Sequence, residues 1–585
     1  MSDNVGSFLI MINRAKKENS FKYLGVILIF SIASIAIQSA QMYERGFILG
    51  VDSIFHMNRI YETMMQMQSG EFNYFLSLFS FQQSARIVNA FYGPAMAYLL
   101  GAILLFTESW VKFQLVTSFL VNIIGAIGIY RIAKKLSLRD SIALMSGILY
   151  MSSYFVSSWN LAGSFTSVGN MLIPFVIYYG IEMLINEDHD FSAFGLGLSM
   201  GMLLQTHVFS SLLATITLAP FIVYSFYKCD NKKKFAIKLL LAIILAILLS
   251  LNVWTGMLHL MSSNELLQTF PSDLMANAVY FLPNAGTGHA NIGIIFSLVF
   301  FIQICYSVTF WNTININNKL MTAIGVIFLF ISSRFFPWNV LGQKVSALET
   351  LLQFPSRLII IPTILLLLSL GMNINKHKEK QLIIMLGVIT LFSVSIAQNR
   401  VYERMDSWKS ENVLASPNKK PDSISSEDMR NAIKSKNLEE VLNIVRKGTS
   451  DYLPLQHKIP NNEFEDFNPY TKYWTYIIYP NSDFNKEVKN GKIIVTWNND
   501  KEEKTNIPIV KYNDTIIEDV LNKNEIKPEL TEIGTIQVEA NQGQNRLEVS
   551  YDTPSYVIFS IFISSIVFII SLCYICFSKI YKLLN

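Results

Sequence analysis

The stretch GVDSIFHMNRIYETMMQMQSG, residues 50–70, places three charged side chains and a histidine directly after a long apolar run. They are Asp52, His56, Arg59 and Glu62, in a chain of 585 residues that is 51% hydrophobic and 15% charged. Soluble globular proteins average about 25% charged residues, so this composition indicates a membrane protein. The net charge of +4 is small and gives no reason to expect nucleic acid as a partner. What the four side chains can do depends on which side of the membrane they face.

Apolar runs of roughly 20 residues can cross a bilayer as helices. The sequence therefore predicts a polytopic α-helical membrane protein with about twelve spans and a polar block before the last span. The predicted spans are residues 23–42, 112–132, 141–160, 169–186, 190–206, 208–227, 235–253, 291–311, 319–334, 357–373, 381–398 and 555–577. A further apolar run, residues 91–106, is short, and Gly93-Pro94 interrupts its start. We expect this run to be an interfacial or re-entrant helix.

Basic residues cluster in the segments that join these spans, and the positive-inside rule places such clusters in the cytoplasm. The clusters are NRAKKENSFK before the first span, RIAKKLSLR, KCDNKKK and NKHKEK between spans, and SKIYKLLN at the end. All of these clusters lie on the same side of the membrane if residues 91–106 do not cross it. We therefore expect a multi-pass protein of the cell membrane with both termini in the cytoplasm. Residues 50–70 then lie outside, in a long first outer loop at residues 43–111.

The polar block at residues 399–554 is predicted to be an extracytoplasmic β-rich domain. It separates a transmembrane domain at residues 1–398 from a last helix and cytoplasmic tail at residues 555–585. Residues 416–430 have the composition of a linker, and residues 427–448 have the apolar spacing of a helix. Strand-like segments follow at residues 472–480, 491–499, 506–513, 534–540 and 545–552. The block lacks cysteine, which favours a Gram-positive cell exterior over a eukaryotic lumen.

Asp52, His56 and Arg59 fall on one face of a helix, because spacings of four and three residues return to nearly the same angle. Such a trio suits a phosphate-bearing substrate. The guanidinium of Arg59 can bind phosphate bidentately, and the carboxylate of Asp52 can accept a proton. The imidazole of His56 can shuttle protons or ligate a metal. The alternative is an ordinary interfacial helix with a solvated polar face.

Three further ionisable side chains lie at the predicted outer ends of spans. His207, in LLQTHVFSS, follows the fifth span, where a histidine either serves function or is hydrogen-bonded between helices. Arg357, in QFPSRL, opens the tenth span, and Arg334, in SSRFFPW, ends the ninth. Each arginine either holds a lipid phosphate or snorkels to the interface. The sequence has no Walker lysine, which argues against an ATP-driven pump.

Several motifs resemble those of one bacterial set of membrane proteins. GVDSIFHMNRI, FYGP, QTHVFSS, QFPSR and DYLP (residues 451–454) occur in this order. An acidic residue at the start of a long first outer loop is typical of GT-C glycosyltransferases, polytopic enzymes that use polyprenyl-phosphate-linked sugars on the non-cytoplasmic face. More closely, nearly the whole chain resembles the family labelled 6-pyruvoyl-tetrahydropterin-synthase-related, which is similar to YfhO-type proteins. The label does not give the activity, because pterin synthases use a histidine-bound zinc that has no matching cluster here.

The resemblance implies roles for particular residues. Asp52 would activate the acceptor or bind a metal, and Arg357 would hold the donor phosphate. Many GT-C members carry a second acidic residue in a later outer loop, for which Asp273, Glu265 and Glu349 are the candidates. No cofactor is required by the motifs, although a divalent metal at Asp52 stays open.

These features favour a membrane glycosyltransferase that moves a sugar from a polyprenyl-phosphate-linked donor to a cell-envelope acceptor, a glycopolymer or a protein, on the outer face. The predicted catalytic residues are Asp52 and His56, and the predicted substrate-binding residues are Arg59, His207, Arg357 and Arg334. A transporter or flippase of lipid-linked sugars is the first alternative, but it needs charges within the spans, which carry few. A non-enzymatic envelope scaffold is the second, and it gives no reason for the shared helix face.

Overall fold

A computed structural model of the chain describes residues 2–280, 289–377, 379–411, 413, 424–522 and 524–584, with side chains from residue 21 to residue 578. Within these residues, a helical part is followed by a β-rich domain and a last long helix. The predicted fold, a polytopic helical protein with a β-rich domain before its last helix, is therefore confirmed. Residues 414–423, which include the first part of the predicted linker, lie outside the described residues.

The part before the β-rich domain is built from helices α1 to α19. They are α1 (Ser2–Glu44), α2 (Ser53–Ser69), α3 (Asn89–Tyr92), α4 (Pro94–Thr107), α5 (Trp110–Lys135), α6 (Asp140–Ser152), α7 (Tyr154–Ala162), α8 (Phe165–Asn170), α9 (Ile173–Ile185), α10 (Ala193–Thr206), α11 (Val208–Lys228), α12 (Lys232–Leu249), α13 (Leu251–Ser263), α14 (Gly293–Thr309), α15 (Ile316–Ser332), α16 (Trp338–Lys344), α17 (Ala347–Leu351), α18 (Ile360–Lys376) and α19 (Lys380–Lys409).

Every predicted span lies on helix. Among the described residues, seven helical segments are long and apolar enough to cross a membrane, or eight if α12 and α13, bent by 63° at their break, form one span. Helices α10, α14 and α15 are apolar but have only 14 to 17 residues. The predicted span at residues 141–160 is divided between α6 and α7, because Ser153 is extended (φ −66°, ψ 146°). The chain is a multi-pass membrane protein.

Helix α4 contains the apolar run that is predicted not to cross. It has 14 residues, about 21 Å at 1.5 Å per residue, which is shorter than the roughly 30 Å hydrocarbon layer. It packs along α2, where the Thr63 hydroxyl donates to the Ala97 carbonyl at 2.8 Å. At its end, Phe106 is 90% exposed. Its length and its packing on α2 support the prediction of an interfacial or re-entrant helix.

The basic segments that join the predicted spans converge at one end of the bundle. Lys22 and Lys134 both form ion pairs with Asp140, at 2.7 and 2.8 Å. These contacts join the start of α1, the end of α5 and the start of α6. At the opposite end, the ion pair of Glu44 with Lys409 (2.5 Å) joins α1 and α19 shortly before α2 begins. Helix α2 therefore lies at the end away from the basic segments.

The β-rich domain has two antiparallel sheets, with strand orders β3-β4-β10-β6-β7 and β5-β9-β8. The strands are β1 (Glu265–Leu266), β2 (Pro454–Leu455), β3 (Asn485–Lys489), β4 (Lys492–Asn499), β5 (Glu503–Val510), β6 (Thr515–Asp519), β7 (Asn524–Glu525), β8 (Glu529–Leu530), β9 (Thr535–Ala540) and β10 (Gly543–Tyr551). The remaining helices are α20 (Ser426–Lys434), α21 (Glu440–Ile444), α22 (Phe464–Phe467), α23 (Pro469–Tyr473) and α24 (Ser555–Leu584). The pairing of β1 with β2 ties the segment after α13 to the polar block.

Four of the five predicted strands overlap β4, β5, β9 and β10, but the strand predicted at residues 472–480 is wrong. This segment continues α23 as a π-helical turn, Trp474–Ile478. The Asn468 side chain caps α23 by accepting a hydrogen bond from the Thr471 N–H at 3.2 Å, and a proline follows at the first helical position. These helix start signals outweigh the aromatic and β-branched composition of residues 472–480, on which the strand prediction rested.

The single helix predicted at residues 427–448 is also wrong, because two shorter helices, α20 and α21, occupy the segment. The Ser435 hydroxyl accepts from the Asn437 N–H at 3.1 Å, and the Asn437 side chain accepts from the Glu439 N–H at 3.2 Å. Short polar side chains that bond nearby backbone groups in this way compete with helical hydrogen bonds. The apolar spacing predicted the buried face correctly but not this interruption.

Glu62, the last ionisable residue of the opening stretch, holds the loop that follows α2. Its buried carboxylate accepts hydrogen bonds from the backbone N–H groups of residues 78–80, at 2.7 to 2.9 Å. Phe75 and Leu76 of the same loop pack into the hydrophobic core of the β-rich domain. The loop therefore joins the helical part to the β-rich domain, and Glu62 is a structural residue.

The two ends of the bundle are predicted to lie on opposite sides of the membrane. In a chain whose natural cysteines are replaced, single cysteines at Lys134 and Lys233 should be shielded from an impermeant thiol reagent in intact cells. Cysteines at Ser69 and Asn490, which are exposed near the other end, should label. Permeabilised cells, in which all four positions should label, are the control. Labelling at Lys134 in intact cells would overturn this topology.

Candidate active site

The start of α2 is held against the turn between α7 and α8. The Asp52 N–H donates to the Ala162 carbonyl at 3.1 Å, and a Cβ added to Gly50 would lie 2.1 Å from the Ala162 carbonyl carbon. Only glycine permits this approach. Asp52 occupies the N-cap position of α2, yet its carboxylate caps no helix N–H. Aspartate at this position usually accepts such a bond, so the carboxylate is left for other partners.

Arg59 lies about two helical turns after Asp52 on α2, and its side chain is 1% exposed. Its Nε donates to the Asn89 side chain at 3.0 Å, and its Nη1 contacts His56 Nδ1 at 3.2 Å. The rings of Tyr92 and Phe165 lie 4.4 and 4.7 Å from the guanidinium carbon. Nη2 is enclosed and has no acceptor in the described part of the chain. Burial lowers the pKa of Arg59 to about 10, so the group remains a cation at neutral pH.

His56 is a neutral neighbour of that cation. Because arginine only donates, Nδ1 of His56 accepts the contact from Arg59, and the ring proton must lie on Nε2. The ring stacks on Phe165 at 4.9 Å. Burial, with Arg59 adding to it, holds the pKa of His56 well below 6.5. The His56 side chain therefore contacts Arg59. Its contact with Asp52 is a hydrogen bond from the His56 N–H to the Asp52 carbonyl.

His207 joins the same cluster from the turn between α10 and α11. It caps α11, with Nδ1 3.3 Å from the Ser210 N–H and 2.8 Å from its hydroxyl. Burial, followed by the positive charges of Arg357 and Arg59, lowers the pKa of His207 to about 3. Like His56, it is neutral at physiological pH and carries its proton on Nε2.

Arg357 reaches the cluster from the segment before α18. Its Nη1 donates to the Leu352 carbonyl at 3.1 Å, and the rings of Phe354 and Phe209 lie 4.8 and 5.5 Å from its guanidinium carbon. It is close enough to Asp52 to act on it electrostatically. The predicted residues Asp52, His56, Arg59, His207 and Arg357 are therefore brought together.

The other predicted polar residues have different partners. Arg334 is exposed and donates to the Ala276 carbonyl at 3.0 Å. Asp273, a candidate second acid, accepts from the Ala276 N–H at 3.0 Å. Glu349 accepts from an asparagine of the polar block at 3.1 Å, and Glu265 is exposed in β1. None of their described contacts is with α2.

The second acid of the cluster is Asp451, which was not among the predicted candidates. Arg86, fully buried, donates to the Thr449 carbonyl, to the Thr449 hydroxyl at 2.5 Å and to the Asp451 carbonyl at 2.5 Å. These bonds fix the DYLP turn beside α2. Burial raises the pKa of Asp451; Asp52 adds to this shift, while Arg86 and Lys447 oppose it. The only sequence signal was the DYLP motif, which could not reveal its spatial neighbours.

Lys447 completes what we call the Asp52 cluster: Asp52, His56, Arg59, His207, Arg357, Lys447 and Asp451. Its Nζ donates to the Val51 carbonyl at 2.9 Å, and its charge acts on both His56 and Asp451. The cluster thus holds three basic side chains, two carboxyl groups and two neutral histidines. The excess of positive charge, partly buried, suits an anionic ligand.

Comparison with known proteins gives likenesses to solved structures, but no family model and no curated protein sequence matches the chain. The chain is similar to the crystal structure of ArnT from Cupriavidus metallidurans bound to undecaprenyl phosphate, at 10% sequence identity and a TM-score of 0.41. The similarity covers 72% of this chain and 71% of that chain. Because no family model and no curated sequence matches, the resemblance to YfhO-type proteins stays a prediction.

The buried histidines predict a pH-dependent stability. Both have a folded pKa below the ordinary value of 6.5, so below that pH the unfolded chain binds protons that the folded chain does not. The contribution of the two histidines to stability should fall as pH drops from 7 to 5, by up to about 1.4 kcal/mol per pH unit for each, whereas the raised pKa of Asp451 acts in the opposite direction. Thermal unfolding of the purified chain measures this. His207→Gln should reduce the slope, and His457→Gln, at an exposed position, is the control. Equal slopes in the wild type and His207→Gln would contradict the assignment.

Proposed function

We propose that the chain is a membrane glycosyltransferase of the GT-C type, which transfers a sugar from a polyprenyl-phosphate-linked donor to a cell-envelope acceptor. The observation that carries the proposal is the buried guanidinium of Arg59, whose Nη2 has no acceptor among the described residues. A buried charge is costly unless it is paired. The phosphate of a donor would provide both the charge and the acceptor oxygen.

The arrangement provides each part that sugar transfer needs. Arg59 and Arg357 would bind the donor phosphate and stabilise it as it leaves. Asp52 would take the proton of the acceptor hydroxyl. The oxygen of that hydroxyl would bond to the anomeric carbon of the sugar, while the bond from the anomeric carbon to the phosphate oxygen breaks. The products are the glycosylated acceptor and the polyprenyl phosphate. A carboxylate beside the sugar also stabilises the oxocarbenium-like charge of the transition state.

The histidines and Asp451 would act around this step. His56 would be a positioning residue, because its Nδ1 accepts from Arg59 and its ring stacks in place. His207 would donate from Nε2, since its Nδ1 is used at the start of α11. Asp451, with a raised pKa, would bind a sugar or acceptor hydroxyl, and its protonated form could serve as a donor.

The acceptor and the sidedness belong to the proposal as well. Lys447 and Asp451 come from the polar block, so a glycopolymer or protein acceptor would approach between that block and α2. The basic segments at the opposite end of the bundle support an outer-face reaction with both termini in the cytoplasm. Within the described residues, no group of three or more His, Cys, Asp and Glu side chains could hold a metal ion.

Replacement of the proposed base should abolish transfer. Asp52→Asn keeps the shape but accepts no proton at neutral pH, so transfer should fall about a hundred- to ten-thousand-fold. Asp451→Asn should be milder, because the amide still forms hydrogen bonds. The measurement is sugar transfer by membranes with equal amounts of each variant, supplied with a labelled polyprenyl-phosphate sugar.

Glu349→Gln is the matched control, since this carboxylate bonds Asn461 of the polar block and has no described contact with α2. Its transfer should stay near that of the wild type. Folding of Asp52→Asn should be retained, because the carboxylate caps no helix N–H and the swap leaves no cavity. Full transfer by Asp52→Asn would remove the catalytic role of α2 and would favour a transporter or scaffold.

The donor phosphate gives a second, separate prediction. Arg357→Lys keeps the charge but loses the planar fork that binds phosphate with two hydrogen bonds. The KM for the donor should rise about tenfold or more, as expected when a charge-assisted hydrogen bond is lost. Arg334→Lys, at an exposed arginine outside the cluster, should leave the KM unchanged. If the two variants behave alike, Arg357 does not hold the donor.

A further inference from the structure

Arg400 on α19 is a buried arginine that the proposed transfer step does not use. Its side chain is 4% exposed, and its Nε is enclosed without an acceptor in the described part of the chain. Glu403 attracts it electrostatically but is exposed and forms no ion pair with it. The ring of Tyr154 lies 6.0 Å from its guanidinium carbon. Arg400 therefore carries a charge that no described side chain neutralises by contact.

Arg400 lines a narrow groove between α14, α19 and the end of α6, together with Ser152, Gly293, Ile294, Phe296 and Ser393. Gly293 lies beside the guanidinium, since a Cβ there would be 3.5 Å from Arg400 Nη2, and its positive φ of +71° favours glycine. Ile294 is 40% exposed at its edge. Beyond it, α14 and α19 present the exposed apolar side chains Leu298, Phe301, Leu391 and Phe392. The groove thus leads from a buried cation to a surface that faces lipid chains.

The depth of Arg400 also matches a lipid head group. It follows the predicted span at residues 381–398 by two positions, at the end of α19 that lies near α2. Lipid phosphates lie at this boundary between hydrocarbon and water. Arginine stays protonated in proteins, and a buried cation at membrane depth is expected to have an anionic partner or a function.

We propose that Arg400 binds the phosphate of a membrane lipid whose chain lies along α14 and α19. Arg404, one helical turn further, also has an enclosed Nε without an acceptor among the described residues, and it provides a second cation. The site is distinct from the Asp52 cluster and does not depend on the proposed transfer. Helix α7 connects the two places, since the ring of Tyr154 at its start lies 6.0 Å from the Arg400 guanidinium carbon and the Ala162 carbonyl at its end accepts from the Asp52 N–H at 3.1 Å. A lipid here would therefore be held beside the cluster, before or after reaction.

The test is native mass spectrometry of the purified full-length chain with three added lipids: undecaprenyl phosphate, phosphatidylglycerol and undecaprenol. The wild type should retain one or both phosphate lipids and not undecaprenol, which has no phosphate. With Arg357→Gln present in both proteins, to weaken the separate donor site proposed at the Asp52 cluster, Arg400→Gln should bind them at least about tenfold more weakly, because it loses charge-assisted hydrogen bonds. Arg139→Gln, at the basic end of the bundle, where Arg139 bonds Asn375, should bind as the wild type does. Retention of undecaprenyl phosphate alone, or of phosphatidylglycerol as well, identifies the source of the phosphate.

Further variants separate this site from the proposed active site. Arg357→Gln should leave the Arg400-dependent lipid in place, whether or not the Asp52 cluster binds a donor. In lipid-free detergent, Arg400→Gln should melt no lower than the wild type, because it removes an unpaired buried charge. Unchanged binding of phosphate lipids by Arg400→Gln would overturn the proposal. Equal retention of undecaprenol would also overturn it, since the groove would then bind chains without regard to phosphate.

Discussion

The buried guanidinium of Arg86 is the interaction on which the candidate site depends. It joins the loop after α2 to Thr449 and Asp451, more than 360 positions later in the chain. Together with the pairing of β1 and β2, it positions the polar block beside the helices and holds the segment that carries Asp451. Glu62 holds the same loop from the other side by accepting three backbone hydrogen bonds. Glu62 and Arg86, two buried charged groups that bond backbone groups, thus fix the loop after α2 and the segment of Asp451.

The buried charged groups of this molecule differ in how many hydrogen bonds the protein gives them. Glu62 accepts three backbone hydrogen bonds, and Arg86 donates three through its two Nη atoms, although its Nε has no acceptor among the described residues. Arg59 and Arg400 each retain an enclosed nitrogen without an acceptor in that part of the chain, and neither donates to a backbone carbonyl there. The histidines near Arg59 are neutral, so they do not compete with it for an anion. Buried cations without acids are expected to bind an external anion. At these two places, both near the end of the bundle that carries α2, a lipid-linked phosphate is the anion we propose.

Periodicity and hydropathy predicted the helical part well, because apolar runs of spanning length have few other stable structures. The spacing of Asp52, His56 and Arg59 predicted a shared site, but not that His56 would contact Arg59 and leave the Asp52 carboxylate alone. Asp451 could not be found, because its neighbours come from contacts across the whole chain. The strand predicted at residues 472–480 failed since capping by Asn468 outweighed composition. Arg400 was missed because its lack of a partner is a property of the packed structure only.

We propose that Arg59 has no ionic partner in the described part of the chain because it holds the phosphate of a lipid-linked donor. The most direct test is an experimental structure of the full-length chain with a non-hydrolysable polyprenyl-phosphate sugar. A phosphate oxygen should lie about 3 Å from Arg59 Nη2, with the anomeric carbon facing Asp52. A donor bound elsewhere, with water or a protein carbonyl at Nη2, would contradict the account.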